Sequence, residues 1–112
     1  MKGINRLKKN EDFRIVYKNG KSMANKLLII YIMKNLSDKN RVGFTVSKKV
    51  GKSVVRSRVK RLMKESYRLN DSKLISGYDI VFIARENCKE ANFKEVESAL
   101  LHLIRKMKLS KR

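Results

Sequence analysis

The side chains with the clearest potential for chemistry are the basic residues concentrated between positions 41 and 68. Within this stretch only Glu65 is acidic, and its spacing predicts a pair with Arg61 one turn earlier. Uncompensated cations repel one another, and a polyanion removes that repulsion. The stretch therefore favours a nucleic-acid surface over a solvated face of mixed charge. The basic residues concerned are Arg41, Lys48, Lys49, Lys52, Arg56, Arg58, Lys60, Arg61, Lys64 and Arg68.

Groups that could carry out catalysis are sparse in comparison. The ten acidic residues are scattered singly or in pairs, and none forms a run with the spacing of metal ligands. The single histidine, His102, falls opposite the apolar stripe of its predicted helix, which indicates a surface residue. Gly43 and Gly51 belong to no phosphate-binding loop of the Walker A type. We therefore predict no catalytic residue and no metal site in this chain.

The overall charge agrees with a polyanionic partner. The chain has 29 Lys and Arg against 10 Asp and Glu, a net charge of +19, which favours phosphates or anionic membranes. The longest apolar run, residues 27–33, is too short to span a bilayer, and the first residues contain no apolar segment of the signal-peptide type. With Cys88 as the single cysteine, no internal disulfide is possible. We expect a cytoplasmic protein.

The basic stretch divides into a strand, a loop and a helix. Alternation of Val42, Phe44 and Val46 with polar residues or glycine predicts a strand over residues 41–47, followed by a basic loop over 47–52. Ser53 is predicted to cap a helix with an apolar inner side and a cationic outer side. The predicted inner residues are Val55, Val59, Leu62, Met63 and Leu69. The predicted outer residues are Arg56, Lys60, Arg61, Lys64 and Arg68.

The remaining patterns predict two more helices and two more strands. Asn10 is expected to cap a helix ending at Lys18, and Asn92 with Glu95 has capping-box spacing at the start of a final helix. Residues 27–33 and 78–85 are predicted to be buried strands. Chain ends at 1–9 and 108–112 are basic and expected to be flexible.

The connections between these elements predict the fold. The short connection over residues 35–40 predicts that strand 41–47 runs antiparallel to strand 27–33. The connection over residues 47–78 contains a full helix and is long enough for a parallel crossover. The order of elements predicts one α+β domain over residues 1–112, a two-layer sandwich with helices against one mixed sheet.

Aromatic residues in the first helix leave two interpretations open. Phe13 and Tyr17 are four positions apart and share one side, whereas Ile15 points the other way. Both aromatic rings can pack into the core, or one or both can line a groove where a base stacks. Tyr31, in a strand predicted to be central, carries a hydroxyl that needs a polar neighbour or a ligand.

Three segments carry a resemblance to a known family. RVG at 41–43, VSKKVGK at 46–52 and VVRSRVKR at 54–61 closely resemble the signature of the protein subunit of bacterial ribonuclease P. NRLKK at 5–9 through Phe13 is similar to the N-terminus of that family, and the closing strand and helix fit its length. The family usually has Arg-Asn-Arg where this chain has Arg56-Ser57-Arg58, so a hydroxyl replaces an amide with both donor and acceptor.

The resemblance implies a fold, a partner and a reaction. The sandwich would contain a left-handed crossover between its parallel strands, against the usual rule. A catalytic RNA, which would also bind most of the magnesium, would cleave precursor tRNA and release its 5′ leader. This chain would join the complex as a monomer. The resemblance implies docking on that RNA through the helix face 56–61 and the loop 47–52. Together with the other cations of the stretch, the predicted RNA-binding residues are Arg41, Ser47, Lys48, Lys49, Lys52, Arg56, Ser57, Arg58, Lys60, Arg61, Lys64 and Arg68. Its implied leader cleft consists of Phe13, Tyr17 and Tyr31, which favours a groove over plain packing for these rings.

Two other functions use the same cationic helix. A ribosomal protein or RNA chaperone would bind structured RNA without assisting any cleavage. A membrane-surface protein would lay a basic amphipathic helix on anionic lipid. Against the second, the inner side of the predicted helix is aliphatic, without Trp or Phe, and is needed for the core.

Overall fold

The computed structural model describes residues 4–111 and places a four-stranded sheet at the centre of the molecule, in the order β1-β2-β4-β3. The strands are β1 (Lys21–Ala24), β2 (Leu28–Lys34), β3 (Arg41–Thr45) and β4 (Tyr78–Ala84). The helices are α1 (Asn10–Asn19), α2 (Ser53–Asn70) and α3 (Phe93–Lys106), with short 3-10 helices at Asp71–Lys73 and Glu86–Glu90. Within residues 4–111, no helix combines the length and apolar character needed to cross a bilayer.

The mixed sheet and the parallel crossover agree with the sequence prediction, but the neighbours of β3 do not. β2 and β4 pair antiparallel, while β3 and β4 pair parallel and are joined through α2. β4 thus lies between β2 and β3, so these two strands run in opposite directions without forming the expected hairpin. The reason lies in β4, whose residues 79–82 are all buried. A strand covered on both faces belongs in the interior of a sheet.

Helices cover both faces of this sheet. α2 and α3 pack on one face, where the main core contains Leu28, Ile30, Phe44, Ile80 and Phe82. α1 packs on the opposite face through a smaller cluster built on Leu7, Val16 and Val81. The predicted α+β class with one mixed sheet is confirmed, and α1 adds a partial layer on the second face.

The inner side of α2 differs from the prediction by a rotation of about 50° on a helical wheel. Val59 and Met63 are buried as expected, but Leu69 is 48% exposed and Tyr67 is fully buried. The Tyr67 ring lies 6.0 Å from that of Phe44 and 6.1 Å from that of Phe82, centroid to centroid. Since one aromatic ring buries more surface than one leucine, Tyr67 sets the rotation of α2.

Helix starts follow the prediction only at α3. There the Asn92 side chain accepts from the Glu95 N–H, and the Glu95 side chain accepts from the Asn92 N–H, both at 2.9 Å. α1 and α2 instead begin after Lys9 and Lys52, which make no side-chain capping bond. Asn10 and Ser53 are therefore the first helical residues, and their predicted role as caps is wrong.

Both described chain ends make backbone bonds to the fold, and their flexibility stays a prediction. The Leu7 N–H donates to the Val42 carbonyl and the Val42 N–H to the Asn5 carbonyl, each at 3.0 Å. At the other end Leu109 is buried, and its carbonyl accepts from the Ile75 N–H at 2.7 Å. The expectation for residues 1–3 and 112 lies outside the described residues.

The edge strand β1 and the turn after it were not predicted. All four residues of β1 are exposed, and the following Asn25 fixes the turn. Its Oδ1 accepts from the Leu27 and Leu28 N–H groups at 3.2 and 2.9 Å, while its Nδ2 donates to the Ala99 carbonyl at 2.9 Å. Nδ2 also lies 3.1 Å from Nδ1 of His102, which is half-buried and not the free surface residue that was predicted.

Candidate nucleic-acid interface

The outer surface of α2 carries two rows of side chains. The outermost row contains the exposed Ser57 and Arg61, together with Val54, which is 79% exposed. A second row of half-buried residues, Arg56, Lys60 and Lys64, lies along one flank of the helix. The rotation of α2 produces this division, because it turns part of the predicted cationic front toward the side of the helix.

The loop before α2 adds three exposed cations. Val50 is buried and anchors the loop, whose turn is closed by bonds from the Val50 and Gly51 N–H groups to the carbonyls of Ser47 and Lys48, at 3.1 and 3.2 Å. Ser47 is exposed as well, and its Oγ accepts from a backbone N–H inside the loop. The exposed cations are Lys48, Lys49 and Lys52.

Several arginines of α2 have hydrogen-bond or ion-pair partners within the protein. Arg58 donates from Nη2 to the Ala91 carbonyl at 2.8 Å and thereby joins α2 to the segment before α3. Arg56 donates from Nε to the Gly51 carbonyl at 3.1 Å. Arg68 forms the ion pair with Glu65, so the predicted pairing of Glu65 with Arg61 is wrong. This pair lowers the pKa of Glu65 and raises that of Arg68.

Arg41 is also committed to an internal partner. Its Nε and Nη2 donate to the two carboxylate oxygens of the buried Asp79, at 2.9 and 2.7 Å. Nη1 lies 3.9 Å from Asp12 of α1. The hydrogen bond to Asp79 raises the pKa of Arg41. Arg41 thus ties β3 to β4 and α1, and this geometry gives it a structural role.

Apart from Arg41 and Arg68, the cations of the stretch form no salt bridge with a carboxylate of the described chain. Between residues 4 and 111 the salt bridges join Arg41 to Asp12 and Asp79, and Arg68 to Glu65. Their mutual repulsion is therefore not offset by acids within the described chain, and a polyanion would offset it. The residues outside these pairs are Lys48, Lys49, Lys52, Arg56, Arg58, Lys60, Arg61 and Lys64, of which Arg56 and Arg58 donate to backbone carbonyls.

Three aromatic rings meet on the α1 side of the sheet. The centroids of Phe13 and Tyr17 are 6.4 Å apart, and those of Tyr17 and Tyr31 are 5.0 Å apart. Tyr17 is 36% exposed, and its hydroxyl lies 3.5 Å from that of Thr45. Phe13 and Tyr31 are half-buried against the smaller core. The group therefore combines packing with an exposed aromatic surface.

Sequence reasoning missed two cations beside this group. Arg6 and Lys8 line a cavity of about 410 Å³ together with Leu7, Phe13, Phe44 and Lys60. The cavity connects the aromatic group to the flank of α2. Alternation of cations with the apolar Leu7 is typical of a strand, and Arg6 forms an isolated bridge with Val42.

Fold and surface together define a class of basic α+β proteins. In this chain the described residues include cations without a carboxylate partner and a partly exposed group of aromatic rings. A family model described as Ribonuclease P matches residues 1–108. The chain belongs to the family of ribonuclease P protein components, and hence to the protein parts of a ribonuclease.

Similar proteins support this assignment. The ribonuclease P protein component of Alkaliphilus metalliredigens is 73% identical, over 97% of this chain and 98% of that protein. The one from Clostridioides difficile is 58% identical, over 93% and 92%. The RNase P protein of Staphylococcus aureus matches with a TM-score of 0.88 at 34% identity, covering 97% of this chain and 100% of that chain. The Thermotoga maritima protein gives 0.83 at 33%, covering 91% and 96%.

Proposed function

We propose that this chain binds the catalytic RNA of ribonuclease P and the 5′ leader of precursor tRNA, and so assists 5′ maturation of tRNA in the cytoplasm. The main support is the set of exposed cations on α2 and its preceding loop that lack acidic partners among residues 4–111. Such a surface neutralises phosphates on a folded RNA and positions the protein without reading sequence.

The docking surface in this proposal consists of the loop and the outer and flanking rows of α2. Ser57 and Arg61 lie at its centre, where the helix is most exposed. Arg41 is left out, because Asp79 occupies two of its donors. The residues are Ser47, Lys48, Lys49, Lys52, Arg56, Ser57, Arg58, Lys60, Arg61, Lys64 and Arg68, of which Arg56, Arg58 and Arg68 also hold the fold.

The leader-binding surface in this proposal is the aromatic group on the opposite face of the sheet. Tyr17 offers the most exposed ring, with Phe13 and Tyr31 beside it. Aromatic faces stack on any base, which suits a leader of variable sequence. The two surfaces thus divide the work between phosphate contact and base contact.

The chemistry itself is assigned to the RNA. Magnesium, bound mainly by that RNA, supplies the activation of water and the neutralisation of phosphate charge. Among residues 4–111, no group of three or more His, Cys, Asp or Glu is placed to hold a metal ion. The chain's own part is to bind and position.

Cleavage of precursor tRNA by the catalytic RNA at low magnesium tests the proposal. Adding the purified protein should raise the rate, and Arg61→Gln should require more protein for the same effect. Arg105→Gln on α3 removes the same charge from another exposed position and should behave as wild type. An RNA-binding protein of ribosomal or chaperone type would bind the RNA without raising the rate, and that result would refute the proposal.

The leader surface has its own matched pair of variants on α1. Tyr17→Ala should weaken binding of precursor tRNA by about 1–3 kcal/mol if a base stacks there. Ile15→Ala, at a position 41% exposed on another side of the same helix, should change little. Equal losses for precursor and mature tRNA would show that Tyr17 does not contact the leader.

A further inference from the structure

The cavity beside Arg6 gathers positive charge at one point. Its cationic lining consists of Arg6, Lys8 and Lys60, and we call it the Arg6 pocket. The backbone bonds of Asn5 and Leu7 to Val42 hold Arg6 against β3, since each is 3.0 Å long. The N-terminal segment therefore fixes Arg6 next to α2 and prevents it from swinging free.

Arg6 has one buried donor that the described chain does not satisfy. Its Nε is buried and has no hydrogen-bond partner. Its guanidinium lies over the Phe44 ring, with Cζ 5.7 Å from the centroid, which orients the group. A buried donor without an acceptor costs free energy, and an incoming oxygen would remove that cost.

Neighbouring cations strengthen the electrostatic attraction of the pocket for an anion. Burial lowers the pKa of Lys64, and the charges of Arg6 and Lys60 lower it further. The acids that form salt bridges within residues 4–111 are Asp12, Asp79 and Glu65, and none of these lines the pocket. Like charges have thus been brought together by the fold with no internal compensation.

We propose that the Arg6 pocket binds a phosphate group of RNA, which accepts from Nε of Arg6 and is neutralised by Lys8 and Lys60. A base is a poorer fit, because Phe44 is only 4% exposed and Arg6 lies over its ring. The proposal rests on the function proposed above for the identity of the RNA, whereas the affinity for phosphate is a property of the folded chain itself.

Phosphate titration of the ¹⁵N-labelled protein tests the pocket directly. The Arg6 Nε–H resonance should move with saturation as inorganic phosphate is added at constant ionic strength, with chloride as the reference. Arg6→Gln should weaken the phosphate affinity at least tenfold. Arg105→Gln, which removes an equal charge from an exposed site on α3, should change it less than twofold.

Lys60→Gln provides a second variant in case Arg6→Gln does not fold, since it leaves the contact of Arg6 with Phe44 in place. It too should weaken phosphate binding at least tenfold. An Arg6 resonance that does not respond, or equal losses in the pocket variants and in Arg105→Gln, would overturn the proposal, because binding would then reflect the general charge of the surface.

Two RNA arms identify the source of the phosphate. In one, the affinity of each variant is measured for a single-stranded leader oligoribonucleotide; in the other, for the catalytic RNA. A loss of at least fivefold for Arg6→Gln in one arm assigns the pocket to that RNA. Wild-type affinity in both arms would refute RNA as the ligand, even if free phosphate binds.

Failure of this proposal differs from failure of the proposed function. If the wild-type protein raises precursor tRNA cleavage but phosphate does not bind at Arg6, only the pocket is wrong. If phosphate binds at Arg6 and cleavage is not raised, the proposed function is wrong and the pocket remains a phosphate site.

Discussion

Replacing Gly43 by alanine should displace the Phe13 ring. A Cβ at Gly43 would lie 2.4 Å from Cε1 and 2.5 Å from Cζ of Phe13. Carbon atoms prefer separations of about 3.5–4.0 Å, so the ring must retreat by roughly 1 Å. The absence of a side chain at position 43 of β3 is therefore what allows the ring to lie against the sheet.

The size of the effect follows from two opposing terms. Overpacking of this kind costs about 1–3 kcal/mol of unfolding free energy. Against it, alanine restricts the unfolded chain and returns about 0.4–1 kcal/mol. We expect Gly43→Ala to lower the unfolding free energy by about 1–2 kcal/mol. In a Phe13→Ala background the clash disappears, so the same substitution should be neutral or slightly stabilising.

Urea unfolding of the wild type, both single variants and the double variant measures this coupling. A loss of equal size in both backgrounds would show that Gly43 does not seat the Phe13 ring. Binding of precursor and mature tRNA by Gly43→Ala adds a functional measurement. Because the displaced ring belongs to the proposed leader surface, only precursor tRNA binding should weaken.

Three further predictions follow from single contacts. Arg58→Lys loses the bond to the Ala91 carbonyl and should lower the unfolding free energy by about 1 kcal/mol. Arg61→Lys, at an exposed position on the same helix, should leave it unchanged, and equal urea midpoints for the two variants would refute this. Burial raises the pKa of Cys88 to about 11, so iodoacetamide at pH 8 should modify the native thiol at least 100-fold more slowly than the urea-unfolded one, and similar rates would contradict it. RNA affinity should fall with salt with a log-log slope of about −4, for about six phosphates neutralised, and a slope near zero would exclude a phosphate-dominated interface.

Local patterns were sufficient for most elements but not for their arrangement. The periodicity of α3 and the apolar content of β2 and β4 are properties of short segments, and these elements were predicted close to their observed bounds. β1 has four exposed residues and exists because it pairs with β2, so no local pattern indicates it. The position of β4 between β2 and β3 likewise depends on contacts between residues distant in sequence, and connection lengths do not determine it.

Single buried residues decided the remaining differences. Leu7 and Leu109 each lie in a basic context that suggests fraying, yet each is buried and accompanied by backbone bonds that hold the chain end. Tyr67 competes with Leu69 for the inner side of α2 and prevails because its ring packs against Phe44 and Phe82. Such competition depends on the partner surface, which the sequence of one helix does not contain.

The arginines and lysines of the basic stretch differ in the partners that they have within the protein. Arg41, Arg56 and Arg58 donate to a buried carboxylate or to backbone carbonyls of the protein, and Arg68 pairs with Glu65 at the surface. A planar fork with several donors suits such partners. The lysines of the stretch have no carboxylate partner in the part of the chain described here, and most are exposed. A lysine is a mobile point charge that suits a phosphate of any orientation. Exchanging arginine for lysine in the first set should therefore lower the free energy of unfolding. Neutralising the second set should instead reduce RNA binding. Both sets contribute in the same way to the net charge of +19, so net charge alone does not predict this difference.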